Sequence, residues 1–350
     1  MRCVRWLWYN LVSPRKVNSS ALLEVGLPSA KFVIKSAPLI LVALLQLVWA
    51  SGCSHNSGVS AHWSPGPTVG SVDLLAVCFI DQTTGWAVGG IDPRGTGGLI
   101  YQTNDSGASW HPIARTPEIL TSVAFVNAKT GWVAGYAGRI DRTDDGGQTW
   151  RSQRPELGSE LLNSLFFLND RVGWAAGGSG LLLRTTNGGN SWEQIPTGRV
   201  EDFWTVRFLP PDRGLIVGED GLIFATTDGG AHWEQQTSGT TEALMGLTIS
   251  PEGRAIAVGG HGTILVSSDW SRWTRVDPGA DETLDAVAFA GDNTFWSVGS
   301  KGTMVESTDG GSSWKHIPPV SSWDLLSIAL ADSSHGVAAG QRGCTQILRN

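Results

Sequence analysis

Residues 131–150 hold the string Gly131-Trp132-Val133-Ala134-Gly135, a turn, Gly138-Arg139-Ile140, and then Thr143-Asp144-Asp145-Gly146-Gly147-Gln148-Thr149-Trp150. Two short apolar runs of strand length, each bounded by glycine, precede a tight Asp-Gly-Gly turn that delivers a tryptophan. The same string returns along the chain. Trp110, Trp150, Trp192, Trp233, Trp273 and Trp314 are spaced by 40, 42, 41, 40 and 41 residues. A second ladder of the Gly-Trp-Ala-Val-Gly type occupies residues 85–89, 131–135, 173–177, 214–218, 255–259, 295–299 and 336–340, seven copies in all. Just upstream of each copy lies an apolar L-x-x-V-x-F pattern, from Leu74, Val77 and Phe79 through Leu120, Val123 and Phe125 to Leu325, Ile328 and Leu330.

Each unit of about 41 residues therefore supplies four apolar runs of strand length with no 3.6-residue periodicity between them. Four strands per unit predict an all-β fold, a seven-bladed β-propeller of four-stranded blades, in which repetition around a ring protects the sheet edges. The seventh unit ends at Leu348-Arg349-Asn350, ahead of any Trp-bearing fourth strand, whereas Ala61-His62-Trp63 repeats Ala231-His232-Trp233. Residues near 61–66 are thus expected to form the outer strand of the last blade, so that the N-terminal strand closes the ring.

Composition agrees. Of 350 residues 45 are glycine and 17 tryptophan, with 16% charged and 41% hydrophobic, which excludes a coiled coil and an acidic disordered chain. The first 53 residues differ in kind. Six basic residues and one acid, Glu24, surround an apolar run over 37–50, too short to span a bilayer with ease and suited to an export signal. The run ends in Ala50-Ser51-Gly52-Cys53, which resembles a bacterial lipoprotein signal and implies acylation of Cys53, although Ala50 stands where Leu is usual. Residues 1–53 are read as this signal, the long stretch before Lys31 as an over-extended start, and residues 54–350 as the propeller. Localisation is expected on the exported side, periplasm or thylakoid lumen, membrane-anchored. Residues 54–350 carry 19 basic and 31 acidic side chains, a net charge of −12 that argues against a nucleic-acid partner. Cys78 and Cys344 hold places in the repeat that do not suggest a mutual disulfide, so both are expected as free buried thiols.

The turn before each repeating tryptophan matches S/T-x-D-x-G-x-x-W, with Asp105, Asp145, Asp228 and Asp309 in the acidic position, Asn187 replacing it once, and Asp269 in a turn one residue short. This is the Asp-box, or BNR repeat, of sialidase-like propellers. Its acid accepts hydrogen bonds from its own turn, glycine supplies positive φ, and tryptophan covers the hairpin. One carboxylate per blade is dispersed around the ring, so the set reads as structural rather than catalytic. The region from about Trp63 to Asn350 resembles the photosystem II stability/assembly factor family of BNR-like propellers. The resemblance implies a non-enzymatic, monomeric factor without cofactor or metal that binds a membrane-protein subunit, a photosystem II reaction-centre protein where the host is photosynthetic. It also implies an arginine-bearing surface toward the partner. The alternatives are a generic envelope protein-binding propeller and a sialidase-like glycosidase.

Nine of the nineteen basic residues are arginines within 139–213, a stretch of net charge −1 in an otherwise strongly acidic ring. Such a sector can pair with a carboxylate-bearing segment. Arg139, Arg142 and Arg184 are candidate partner-binding residues, Arg142 and Arg184 at equivalent repeat positions. Arg207 stands where Cys78, Ala124, Phe166, Thr248, Ala288 and Ala329 stand in the other units, and Trp204 replaces Thr121, Asn163 and Asp285. Residues that break a repeat are hard to explain by blade packing, which adds Trp204, Arg207 and Trp323 to the candidates. For a glycosidase the signals are poor: the strong Asp repeat is committed to turns, no Phe-Arg-Ile-Pro string occurs, and the seven histidines show no ligand spacing.

Overall fold

The computed structural model describes residues 62–90, 97–153 and 160–349. Seven four-stranded antiparallel sheets appear among these residues, each built from consecutive strands except the last. In blade two, for example, Leu120–Phe125 pairs with Gly131–Gly135, which pairs with Ile140–Thr143, which pairs with Arg151–Ser152. Blade seven takes three strands from the C-terminus and its outer strand from His62–Pro65, which runs antiparallel to Thr345–Arg349 with Trp63 opposite Leu348. The expected closure is present. Signal and acylation readings for residues 1–53, Cys53 included, lie outside the described residues.

The tryptophan ladders hold blade to blade. Trp86, Trp132 and Trp174 on second strands stack on Phe125, Phe167 and Phe208 of the next blade's inner strand, with centroids 3.6, 3.6 and 3.7 Å apart. Trp150, Trp192 and Trp233, each just ahead of an outer strand, meet the same three phenylalanines edge-on at 6.1, 5.9 and 5.7 Å. Each phenylalanine is thus clasped between two indoles, one stacked flat on it and one edge-on, the latter a geometry that aromatic quadrupoles favour. Trp86 Nε1 and Trp132 Nε1 also donate to the Gly146 and Gly188 carbonyls of the next blade's Asp-box turn. In blade five, Trp270 is buried and donates from Nε1 to the Gly253 carbonyl at 2.6 Å, so it fills its shortened turn.

One expectation fails. Cys344 is a free thiol, but Cys78 is disulfide-bonded rather than free. Cys78 is buried on its inner strand in the apolar core with Trp86 and Phe125, and also lines the central channel, while Cys344 is half-buried.

Candidate functional site

Strand connectivity divides the ring into two faces. Each inner strand starts at the loop from the preceding blade and ends at the turn to its second strand, so inter-blade loops share one face with the turns between second and third strands. The opposite face carries the remaining turns, Asp-boxes among them.

On the Asp-box face the carboxylates are consumed locally. Asp145 Oδ1 accepts from Thr149 N at 2.9 Å and from Thr143 Oγ1 at 2.8 Å, while Gly147 N donates to Thr143 Oγ1 at 2.8 Å. Gly146 and Gly147 stand at φ 79° and 98°, where a Cβ would be strained. Equivalent bonds reach Asp105, Asn187, Asp228 and Asp309 from Ser109, Ser191, His232 and Ser313 amides, and Asp269 from Ser271 and Arg272 amides. The Thr149 hydroxyl and amide hold the Asp145 carboxyl down at about 2, and the Ser313 hydroxyl and amide do the same for Asp309. These acids fasten turns.

The arginine sector separates into paired and unpaired members. Arg139 donates to the buried Asp141 at 2.6 Å and to Glu118 at 2.6 Å. Arg142 grips Asp144 Oδ1 from Nε and Nη2, donates from Nη1 to the Gly188 carbonyl, and lies 5.2 Å over the Trp132 ring. Both are clamps. Arg184 faces Trp174 as Arg142 faces Trp132, but Thr186 stands where Asp144 does in blade two. Its Nε is buried without a hydrogen-bond partner, and no ion pair reaches it among the described residues.

Trp204 and Arg207 do come together, in the central channel. Every inner strand bulges at the same position near its start, with register shifts such as Phe203/Thr205 and Leu284/Ala286. The bulge positions, which include Thr121, Asn163, Trp204, Met245 and Asp285, ring one mouth of a cavity of about 400 Å³ that all seven blades line. Arg207 sits deeper, donating from Nη1 to the Val206 carbonyl at 2.8 Å and to Ser164 Oγ at 3.3 Å. Burial lowers its guanidinium to about 10, so it remains charged at neutral pH. Asp285 has Oδ2 buried without a partner. Its carboxyl is pushed up to about 7, first by burial and then by the Asp324 charge nearby. Sequence comparison noticed Asp285 only as the equivalent of Trp204; lining up the seven bulge residues is the signal that would have singled it out.

Trp323 belongs to the loop face, 40% exposed, with the Arg342 guanidinium 4.2 Å over its ring. Tyr136, Val200 and Val320 are the other large exposed hydrophobics among the described residues, and every one lies in an inter-blade loop or a turn between second and third strands. The apolar exposure of the ring is therefore confined to one face, away from Arg142 and Arg184.

Fold and site together define a seven-bladed Asp-box propeller with one apolar loop face and a charged central channel. Residues 112–267, from the outer strand of blade one to the third strand of blade five, match the family described as photosynthesis system II assembly factor YCF48. The resemblance to the photosystem II stability/assembly factor family is thus carried by the arginine-rich half of the ring. A curated relative, the photosystem II assembly lipoprotein Ycf48 of Synechococcus sp. (strain CC9902), is 30% identical over 128 residues, 34% of this chain. That alignment spans only 36% of the relative's length. Among solved structures, YCF48 bound to D1 peptide superposes with a TM-score of 0.69 at 22% identity, covering 84% of this chain and 98% of that one. YCF48 from Cyanidioschyzon merolae gives 0.66 at 22% identity, covering 82% and 98%. The WD40 propeller of Doa1 gives 0.68 at 12% identity, covering 83% and 97%. Shape alone does not separate these propellers, so the sequence matches, the family model over 112–267 and the curated relative, are what distinguish them.

Proposed function

We propose that this chain is an exported assembly factor that holds a segment of a membrane-protein subunit while a larger complex is built around it, a photosystem II reaction-centre subunit where the host is photosynthetic. The match of residues 112–267 to the YCF48 family carries the reading, and a similar propeller solved with a D1 peptide supplies the kind of partner. The factor works without catalysis, as a monomer attached to the membrane through lipid on Cys53, as the lipoprotein relative's name supports. Its docking surface is the loop face, where Tyr136 and Trp323 present aromatic anchors of the kind that dominate protein interfaces.

Capture from detergent-solubilised host membranes by tagged residues 54–350 tests this. The expected result is recovery of one membrane-protein subunit, weakened about tenfold or more by Tyr136→Ala with Trp323→Ala, the effect of losing two anchors. Recovery of envelope proteins unrelated to photosynthesis selects the second reading, a general binding propeller, which the equal likeness to the Doa1 WD40 domain favours. No membrane protein above the bead control contradicts both.

A further inference from the structure

The central channel contains a cation that nothing in it neutralises. Arg207 makes two hydrogen bonds through Nη1, to a carbonyl and a hydroxyl, and no carboxylate lies within 4 Å of its guanidinium among the described residues. The one channel acid at the mouth, Asp285, does not serve: its surroundings are set by burial and by Asp324, with no influence from Arg207. The cavity wall mixes aliphatic side chains, Val77, Leu165, Leu247 and Ile328, with the hydroxyls of Ser122, Ser164, Thr205 and Thr248. Arg207 is half-buried against the channel, and a partly desolvated charge without a carboxylate partner is unfavourable, so an apolar side chain of similar volume is ordinarily better there. The six equivalent positions follow that rule, all uncharged.

We propose that the channel is a binding site for a small organic carboxylate, whose anionic end takes the unoccupied side of the Arg207 fork and whose apolar body rests on Trp204 and the aliphatic side chains of the wall. Arg presents donors in a planar fork that matches a carboxylate bidentately. A cavity of about 400 Å³ lies within the range of small-molecule sites, apolar with a few placed polar groups. Asp285 at the mouth, holding its proton near neutrality, leaves the channel with an excess of positive charge. The mouth opens on the loop face with Tyr136 at its rim, but the site does not depend on the assembly-factor reading.

Calorimetric titration of residues 54–350 with sodium phenylacetate tests it, phenylacetamide serving as the neutral isostere. One phenylacetate is expected to bind per chain and phenylacetamide not at all. Arg207→Met is expected to abolish the binding and, without ligand, to melt higher than the parent because an uncompensated, partly desolvated charge is gone. Arg207→Lys, which keeps the charge and loses the fork, is expected to bind at least tenfold more weakly and covers the case in which the methionine variant does not fold. Absence of phenylacetate binding, equal binding of the amide, or undiminished binding by either variant overturns the proposal.

Discussion

Asp145 and Asp285 belong to one repeated unit type, yet their surroundings drive them in opposite directions. In Asp145 the turn's own hydroxyl and amide donors hold the carboxylate charged; in Asp285 burial and a neighbouring acid keep the proton on. For Asp285 the folded state keeps its proton up to about pH 7, whereas an unfolded chain releases it near 4. The folded state therefore binds more protons over that interval, and stability falls as pH rises from about 4 to about 7 before levelling. Asp285→Asn is expected to remove that slope, raising the melting temperature at pH 8 and leaving it nearly unchanged at pH 4; parallel profiles for the two proteins would show that the residue does not titrate in this way. Asp145 has the reverse sign. Its contribution is complete above about pH 4 and is lost as pH falls through about 2. Asp145→Asn should be mild, since Asn187 already fills this position in blade three, while Asp145→Ala should lower the melting temperature at pH 7 by clearly more. The Asp-box role was legible because five further copies of the turn display it; Asp285 was not, because its burial arises from seven strands that meet only in space.

At the scale of the element, tryptophan position separates structure from function. Trp132 is fully buried, stacked on Phe167 and bonded to the Gly188 carbonyl, so it joins blade two to blade three. Trp132→Ala is expected to cost about 3–5 kcal/mol, the range for removing a large core aromatic. Trp323→Ala, on the loop face, should change stability by no more than about 0.5 kcal/mol. Denaturant midpoints check both, and comparable losses for the two would refute the division. Periodicity exposed the ladders themselves, but not what each indole meets, because the partner lies in the next blade some 35 to 60 residues away. The same limit applied to arginine. Equivalent positions for Arg142 and Arg184 were visible in the repeat, while the clamp of Arg142 onto Asp144 and Gly188 depends on side-chain direction across two turns. Thr186 in place of Asp144 distinguishes the two residues, a substitution that acquires meaning only once the clamp is seen.

The whole molecule rests on a closure between its ends. Trp63 packs edge-on against Trp296 at 5.6 Å, and Gly66 N and Val69 N continue the pairing to the Thr345 and Gly343 carbonyls. Val69 and Val72 are buried in the core of blades seven and one. Loss of Trp63 and Val69 alone removes on the order of 5 kcal/mol of apolar burial, comparable with the entire stability of an ordinary domain, and it bares the edge of Thr345–Arg349 to other chains. The channel that holds Arg207 exists only while the ring is shut. Equilibrium unfolding of residues 54–350 beside a truncation that starts at Ser71 therefore tests the central claim most directly. The longer protein should unfold in one cooperative transition, and the truncated one should unfold at markedly lower denaturant or aggregate. An unchanged midpoint and slope in the truncated protein would contradict a ring closed by its own N-terminal strand.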